Sequence, residues 1–191
     1  NVTPQKGELT RYGEISDTSW WGDEVTPADF QRDLKALGDI EELNLYVNSP
    51  GGDVFAGFTI YNQLKRHSAR KIVHVDGLAA SAASVICMAG DEIIMPENAS
   101  MMIHEASAIT AGNKAKMRKM ADELERIDGQ IAGIYAEKTG KKPEELLKMT
   151  SNPAMHSRLC RTKPEGGKFA EQKNKQRPGA KAQAMKGYEY L

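Results

Sequence analysis

The sequence predicts an α/β domain in which helices cover a largely parallel sheet. Segments with the period of strands alternate with segments of helical period, in the order β-α-β-α-β, before residue 80. The helical segments also begin at residues that favour N-terminal caps. The chain of 191 residues fits one domain of ordinary size, and a second full domain is not expected.

The first two elements precede a glycine-rich turn. Residues 11–15, "RYGEI", have the composition of a short strand. Thr26 then offers a side-chain cap, Pro27 suits the first helical position, and Gly38 marks the end of the helix.

The next strand and helix meet at the segment "SPGG". Residues 42–48 alternate apolar and polar side chains, which is the period of a half-buried strand, and they end at Pro50. Asp53 is placed to cap a helix over residues 54–67. Residues 71–75, "KIVHV", form a further predicted strand that ends in a turn at Gly77.

The second half of the domain adds a helix, two strands, a long amphipathic helix and a short final helix. We predict them at residues 82–89, 92–95, 100–105, 113–135 and 139–149, with Gly140 ending the long helix. Two explanations suit the apolar seam of the long helix equally well: it closes the domain's own core, or it meets a second subunit. The seam comprises Met117, Met120, Leu124, Ile127, Ile131 and Ile134.

The last part of the chain differs in composition from the rest. Lys plus Arg and Asp plus Glu both total 26, so no overall charge favours nucleic acid. Residues 151–191 nevertheless contain nine basic and three acidic residues and have no sustained period. We therefore predict a domain over residues 1–150 and a basic, mostly disordered tail over residues 151–191, the only part expected to contact nucleic acid.

The cysteines and the apolar runs of the sequence indicate in which cellular compartment the protein is found. Cys87 and Cys160 do not make a disulfide framework, and no Cys or His pair has the spacing of a zinc site. The longest uncharged run, residues 77–90, is too short to span a bilayer. These features predict a soluble, cytoplasmic protein without a metal site.

Three features could support catalysis. Ser81 lies at a predicted strand-to-helix junction among small alanines, where a hydroxyl can project from a sheet edge. His104 ends the apolar strand "MMI", at the carboxyl-terminal edge of the predicted sheet, where the active sites of α/β proteins usually lie. The glycines of "SPGG" leave backbone N–H groups accessible, as stabilising an oxyanion requires.

The segments "YVNSPGGDVFAGFTIYNQLK" and "VDGLAASAASVICMAGDEIIMPENASMMIHEA" together resemble the Clp protease proteolytic subunit (ClpP) family, especially its phage and prophage head-maturation branch. The resemblance covers roughly residues 10–148 in the same order. It implies the ClpP/crotonase-like spiral fold, with an irregular C-terminal tail, and a serine endopeptidase with a Ser-His-Asp triad.

The resemblance assigns roles to individual residues. The family's G-x-A-A-S motif places the nucleophile at Ser81, and its M-I-H motif places the base at His104. The oxyanion donors correspond to the backbone N–H groups of Gly51 and Ala82. Ser84 has no counterpart role, and we interpret it as a packing residue.

The resemblance also implies partners. An extended peptide substrate would lie beside the segment formed by Gly52, Asp53, Val54 and Phe55, adding a strand. Neither a metal nor an organic cofactor is required. The subunits would form homo-oligomeric rings in a host cell or phage prohead, process capsid or scaffold proteins, and use the long helix where rings meet.

The third triad member cannot be assigned from the resemblance. No Asp follows Asp128, and Glu144 and Glu145 lie on a predicted helix before the expected place. Asn152 is nearest to that place and is a weak candidate. The basic tail begins at the same point, either because of a reading-frame shift near codon 150 or because the tail has diverged.

Two other functions therefore stay open. The chain could be a catalytically impaired ClpP-like ring or assembly protein that lacks the triad acid. It could also be a crotonase-type acyl-CoA enzyme, since that superfamily shares the spiral fold. Such enzymes do not use a Ser/His pair, so the presence of both Ser81 and His104 counts against this alternative.

Overall fold

The computed structural model describes residues 5–19 and 22–151, and strands and helices alternate along them. The predicted tail, apart from Ser151, lies outside the described residues, so its predicted disorder stays a prediction. The elements are β1 (Lys6–Tyr12), α1 (Pro27–Ala36), β2 (Glu42–Ser49), α2 (Val54–Arg66), β3 (Arg70–Ala80), α3 (Ala82–Cys87), β4 (Glu92–Ile94), β5 (Ser100–Met102), α4 (Lys114–Thr139) and α5 (Pro143–Thr150).

The five strands form one parallel sheet. Strands β1, β2, β3 and β4 are neighbours in that order, and β5 pairs with the carboxyl-terminal end of β3. Parallel neighbours require crossover connections, which α1 and α2 supply between the first three strands. The predicted α/β class with a largely parallel sheet is confirmed.

Capping side chains fix where the principal helices begin. The Thr26 hydroxyl accepts a hydrogen bond from the Asp29 N–H at the start of α1, and Asp53 accepts one from Ala56 N–H at the start of α2. Both caps agree with the sequence-based prediction. Gly140 ends α4 at a φ of 70°, a left-handed conformation that glycine adopts without steric cost.

Strand β3 is longer than predicted, and the predicted turn at Gly77 is wrong. The strand continues to Ala80 because its last residues pair with β5, starting with Leu78 beside Ser100. The side chain of Asn48 also accepts a hydrogen bond from Leu78 N–H across 3.0 Å. The strand passes Gly77 without a turn, because the pairing register between β2 and β3 shifts at the end of β2.

The two halves of α4 have different environments. In the carboxyl-terminal half, Ile127, Ile131 and Tyr135 are buried in the core of the domain. In the amino-terminal half, Met117 is 43% exposed. The apolar seam therefore closes the domain's own core over only part of its length.

Among the helices that the structure describes, none has the length and apolar character of a membrane-spanning segment.

Candidate active site

The carboxyl ends of three neighbouring strands bring the predicted site residues together. Ser49 of β2 lies beside Ala79 of β3, and Ala80 lies beside Met102 of β5. The residues that follow these strands are therefore adjacent at one edge of the sheet. Binding sites in open α/β sheets occur at this edge.

Ser81 occupies a strained turn between β3 and α3. Its φ of 52° and ψ of −125° make it the one non-glycine residue with positive φ in the described part of the chain. The Ser81 N–H donates to the carbonyl of Met102 across 2.9 Å, which ties the turn to the end of β5. Strain of this kind persists where surrounding contacts impose it, and it is common at nucleophiles.

Gly51 packs directly against this turn. A Cβ atom added at Gly51 would lie 2.6 Å from the Ser81 Cβ and 3.1 Å from the Ala82 nitrogen. The backbone of Gly51 thus approaches both the hydroxyl-bearing residue and the first N–H of α3. Its own N–H donates to the Ser49 hydroxyl across 3.1 Å, so an oxyanion would have to replace that bond.

A cavity of about 490 Å³ opens beside Ser81. Its wall includes both Ser81 and His104, and apolar side chains of α4 cover much of the remainder. All four residues of the predicted substrate-binding segment also contribute to the wall, namely Gly52, Asp53, Val54 and Phe55. The structure therefore places the predicted catalytic pair and the predicted substrate segment around one space.

The imidazole of His104 is oriented by a backbone carbonyl. Its Nδ1 lies 2.5 Å from the carbonyl oxygen of Glu105. Because a carbonyl oxygen only accepts, this bond requires a proton on Nδ1, which makes Nε2 the nitrogen available to act as a general base.

No hydrogen bond joins Ser81 Oγ to His104 in residues 5–19 and 22–151. Catalytic hydrogen bonds are often longer without substrate than with it. The structure thus brings the two side chains to one cavity without a hydrogen bond between them.

Neither Glu144 nor Glu145 hydrogen-bonds to His104. Asn152 lies outside the described residues, so its predicted role stays untested. Glu144 and Glu145 are exposed on α5, and Glu145 accepts a hydrogen bond from Lys141. In the described part of the chain, no carboxylate hydrogen-bonds to the His104 ring.

The segment expected to pair with substrate is partly paired within the chain. The Ile15 N–H donates to the carbonyl of Gly51 across 2.7 Å, and the Asp53 N–H donates to the carbonyl of Ile15 across 2.8 Å. These are two of the groups on which an added strand would rely. Val54 and Phe55 keep their side chains at the cavity, and Phe55 is 53% exposed.

Ser84 is buried, as its interpretation as a packing residue requires, and it also forms two hydrogen bonds that the sequence did not indicate. Its hydroxyl is fully buried, donates to the carbonyl of Ser81 across 2.6 Å and lies 2.6 Å from the hydroxyl of Tyr135. Burial raises the pKa of Tyr135, so its hydroxyl remains protonated and donates to Ser84. The sequence contained a signal for this bond, since a buried tyrosine such as Tyr135 on an apolar helix face needs a partner for its hydroxyl.

We expect Tyr135→Phe to lower the free energy of unfolding by about 1 kcal/mol, because it removes a buried hydrogen bond. Tyr61→Phe is the matched control, since Tyr61 is also buried but its hydroxyl lies 3.4 Å from the mostly exposed Glu137. Urea unfolding monitored by circular dichroism measures both changes. Equal losses in the two variants would contradict a structural role for the bond between Tyr135 and Ser84.

The residues that the structure describes include no group of three or more His, Cys, Asp or Glu side chains placed to hold a metal ion.

Comparison with known proteins identifies relatives of this chain. The chain is 34% identical over 111 residues to the ATP-dependent Clp protease proteolytic subunit of Deinococcus radiodurans, covering 56% of this chain and 54% of that protein. It is 31% identical to the subunit of the same name from Pleurastrum terricola, covering 68% of this chain and 67% of that protein. The alignments thus span from about half to about two thirds of these relatives' own length.

A solved structure and a family match extend the comparison. A point mutant of ClpP1 from Listeria monocytogenes superposes with a TM-score of 0.65 at 26% identity, covering 76% of this chain and 79% of that chain, which confirms the predicted ClpP-like fold. The sequence pattern of the Clp protease family matches residues 29–158. Because this match spans more than half of the chain, the chain belongs to the Clp protease family.

Proposed function

We propose that this chain is a serine peptidase in which Ser81 is the nucleophile and His104 is the general base. The observation that carries the proposal is the strained turn at Ser81, which lies against Gly51 and shares a cavity with His104. Strain at a serine is costly, so its presence at a cavity that also contains an imidazole favours a catalytic role.

The proposed mechanism is acyl transfer. Ser81 Oγ attacks the carbonyl carbon of a peptide bond while His104 Nε2 takes the hydroxyl proton. The N–H of Ala82 stabilises the negative charge that develops on the carbonyl oxygen, and the Gly51 N–H joins it once the bond to Ser49 is released. His104 then protonates the leaving amine, and water hydrolyses the acyl-enzyme by the same proton transfers in reverse.

The cavity wall favours an apolar side chain of the substrate next to the scissile bond. Leu124, Ile127 and Ile131 of α4 line it, and Phe55 contributes an exposed ring. Burying such a side chain removes apolar surface from water, which stabilises the complex.

The proposal extends to the biological substrate and to the assembly of the subunits. The resemblance to head-maturation proteases supports capsid or scaffold proteins as substrates, in the cytoplasm of a host cell or in a phage prohead. The exposed amino-terminal half of α4 supports a homo-oligomeric ring, because Met117 would be covered by a second subunit. No cofactor enters the proposed reaction.

A fluorophosphonate probe tests the nucleophile directly. We expect the probe to form one adduct, at Ser81, when the labelled protein is digested and mapped by mass spectrometry. Ser107 is an internal control, because it also lines the cavity but is exposed in a loop without a strained turn. An adduct at Ser107, or equal labelling of both serines, would refute the assignment.

A specific observation also favours a second function, that of a catalytically impaired ring or assembly protein. The Gly51 N–H is occupied by Ser49, and the His104 Nδ1 is bonded to a carbonyl and not to a carboxylate. Normal oligomers that neither hydrolyse peptides nor react with the probe would support this function. The acyl-CoA alternative has no such support, since the family match is to Clp proteases.

A further inference from the structure

We propose that Asp128 of α4 positions His104 through the peptide group between Glu105 and Ala106, and so supplies the charge that a triad acid would supply by direct contact. Asp128 is thus a positioning residue and not a catalytic residue. The inference rests on the proposed peptidase function, in which His104 is the base.

Two hydrogen bonds at opposite ends of one peptide group carry the proposal. The carbonyl of Glu105 accepts from His104 Nδ1 across 2.5 Å. The N–H of Ala106, in the same peptide group, donates to Asp128 Oδ1 across 2.6 Å. The described residues contain no cis peptide bond, and in a trans peptide the C=O and N–H point in opposite directions. The imidazole, the amide and the carboxylate are therefore connected in series.

This connection has an electrostatic consequence for His104. A carboxylate at the N–H end of an amide polarises it, so that its carbonyl oxygen becomes a stronger acceptor. The stronger bond holds the ring with the proton on Nδ1, and it favours the imidazolium that forms when Nε2 takes a proton from Ser81. The effect is weaker than that of a carboxylate in direct contact, because the charge lies farther from the ring.

The surroundings of Asp128 suit this role. The side chain is half-buried beside Ile127, and burial raises its pKa, as does the neighbouring Glu105. The bond from Ala106 and the charge of His104 oppose that rise in the pKa of Asp128. Asp128 does not line the cavity, whose acidic wall residues are Asp53, Glu105 and Glu123.

Those groups differ from Asp128 in their partners. Asp53 caps α2, the Glu105 carboxylate accepts a hydrogen bond from Ser151, and Glu123 pairs with Arg126. Asp128 is therefore the carboxylate that is joined to His104 by a continuous set of hydrogen bonds within the described residues.

The test compares Asp128→Asn with Asp122→Asn. Asparagine keeps an oxygen that can accept from Ala106 N–H but removes the negative charge. Asp122 lies on the same helix and is exposed, so it controls for a change in net charge. Two quantities are measured in each protein: the pKa of His104, by NMR of ¹³C-histidine-labelled protein, and the pH dependence of fluorophosphonate labelling at Ser81.

We expect the Asp128→Asn change to lower the pKa of His104 by about half a unit to one unit, because the imidazolium loses a nearby negative charge. Labelling of Ser81 at neutral pH should slow by about threefold to tenfold, since a weaker base accepts the hydroxyl proton less readily. Asp122→Asn should change neither quantity. An unchanged pKa of His104 in Asp128→Asn would overturn the proposal.

The wild-type protein supplies a second measurement that needs no variant. The amide proton of Ala106 should shift with the same pKa as the His104 ring, because the two groups share one set of hydrogen bonds. An Ala106 amide that does not respond overturns the proposal even if Asp128→Asn does not fold. The NMR measurements do not depend on Ser81, so their failure is distinct from a failure of the peptidase assignment.

Discussion

The Ser81→Ala and Ser81→Gly variants should both lose peptide hydrolysis. They should differ in stability, with the glycine variant more stable than the alanine variant. The nucleophilic hydroxyl is absent in both, so turnover should fall by a factor of about 10³ or more. The backbone at Ser81 has a φ of 52°, where a residue with a Cβ atom is strained. We expect Ser81→Gly to exceed Ser81→Ala by about 1 kcal/mol in the free energy of unfolding, since the relief of strain outweighs glycine's greater freedom in the unfolded chain.

Urea unfolding and peptide turnover measure the two effects separately. Ser107→Ala is the matched control for removing a hydroxyl from the cavity wall, and it should alter neither quantity. Equal stability of the glycine and alanine variants would contradict the strained turn. Hydrolysis that persists in Ser81→Ala would contradict the catalytic assignment independently.

Local patterns were sufficient to predict most of the fold. The starts of α1 and α2 follow from Thr26 and Asp53, whose side chains can satisfy the free N–H groups of a first helical turn whatever the rest of the chain does. The strand alternation of residues 42–48 likewise reflects one buried face. Such features depend on neighbours in sequence, so the sequence reveals them.

Features that depend on residues distant in sequence were harder to predict from the sequence. The extension of β3 past Gly77 results from pairing with β5, and no pattern within β3 indicates that partner. The motif resemblance assigned roles to Ser81 and His104, but it did not indicate the bond between Ser84 and Tyr135. It also gave no reason to connect Asp128 with His104, because a peptide group and not a side chain joins them.

Gly51→Ala is expected to disrupt both folding and reactivity. Gly51 has a φ of 100°, and an added Cβ would lie 2.6 Å from the carbonyl oxygen of Ala80 and 2.6 Å from the Ser81 Cβ. Backbone cannot yield as a flexible side chain can, so the strand end and the nucleophile turn must separate. We expect a loss of about 2 to 4 kcal/mol in the free energy of unfolding, the sum of backbone strain and overpacking.

Gly38→Ala separates these two contributions. Gly38 also has a positive φ, of 67°, but an added Cβ there meets nothing within 4 Å. It should therefore show the backbone strain alone, about 1 kcal/mol, and should leave probe labelling of Ser81 unchanged. In Gly51→Ala, labelling should fall by a factor of about 10² or more, because an oxyanion donor moves away from the nucleophile. If Gly51→Ala proved as mild as Gly38→Ala in both measurements, the close approach of Gly51 to Ser81 could not be what shapes the site.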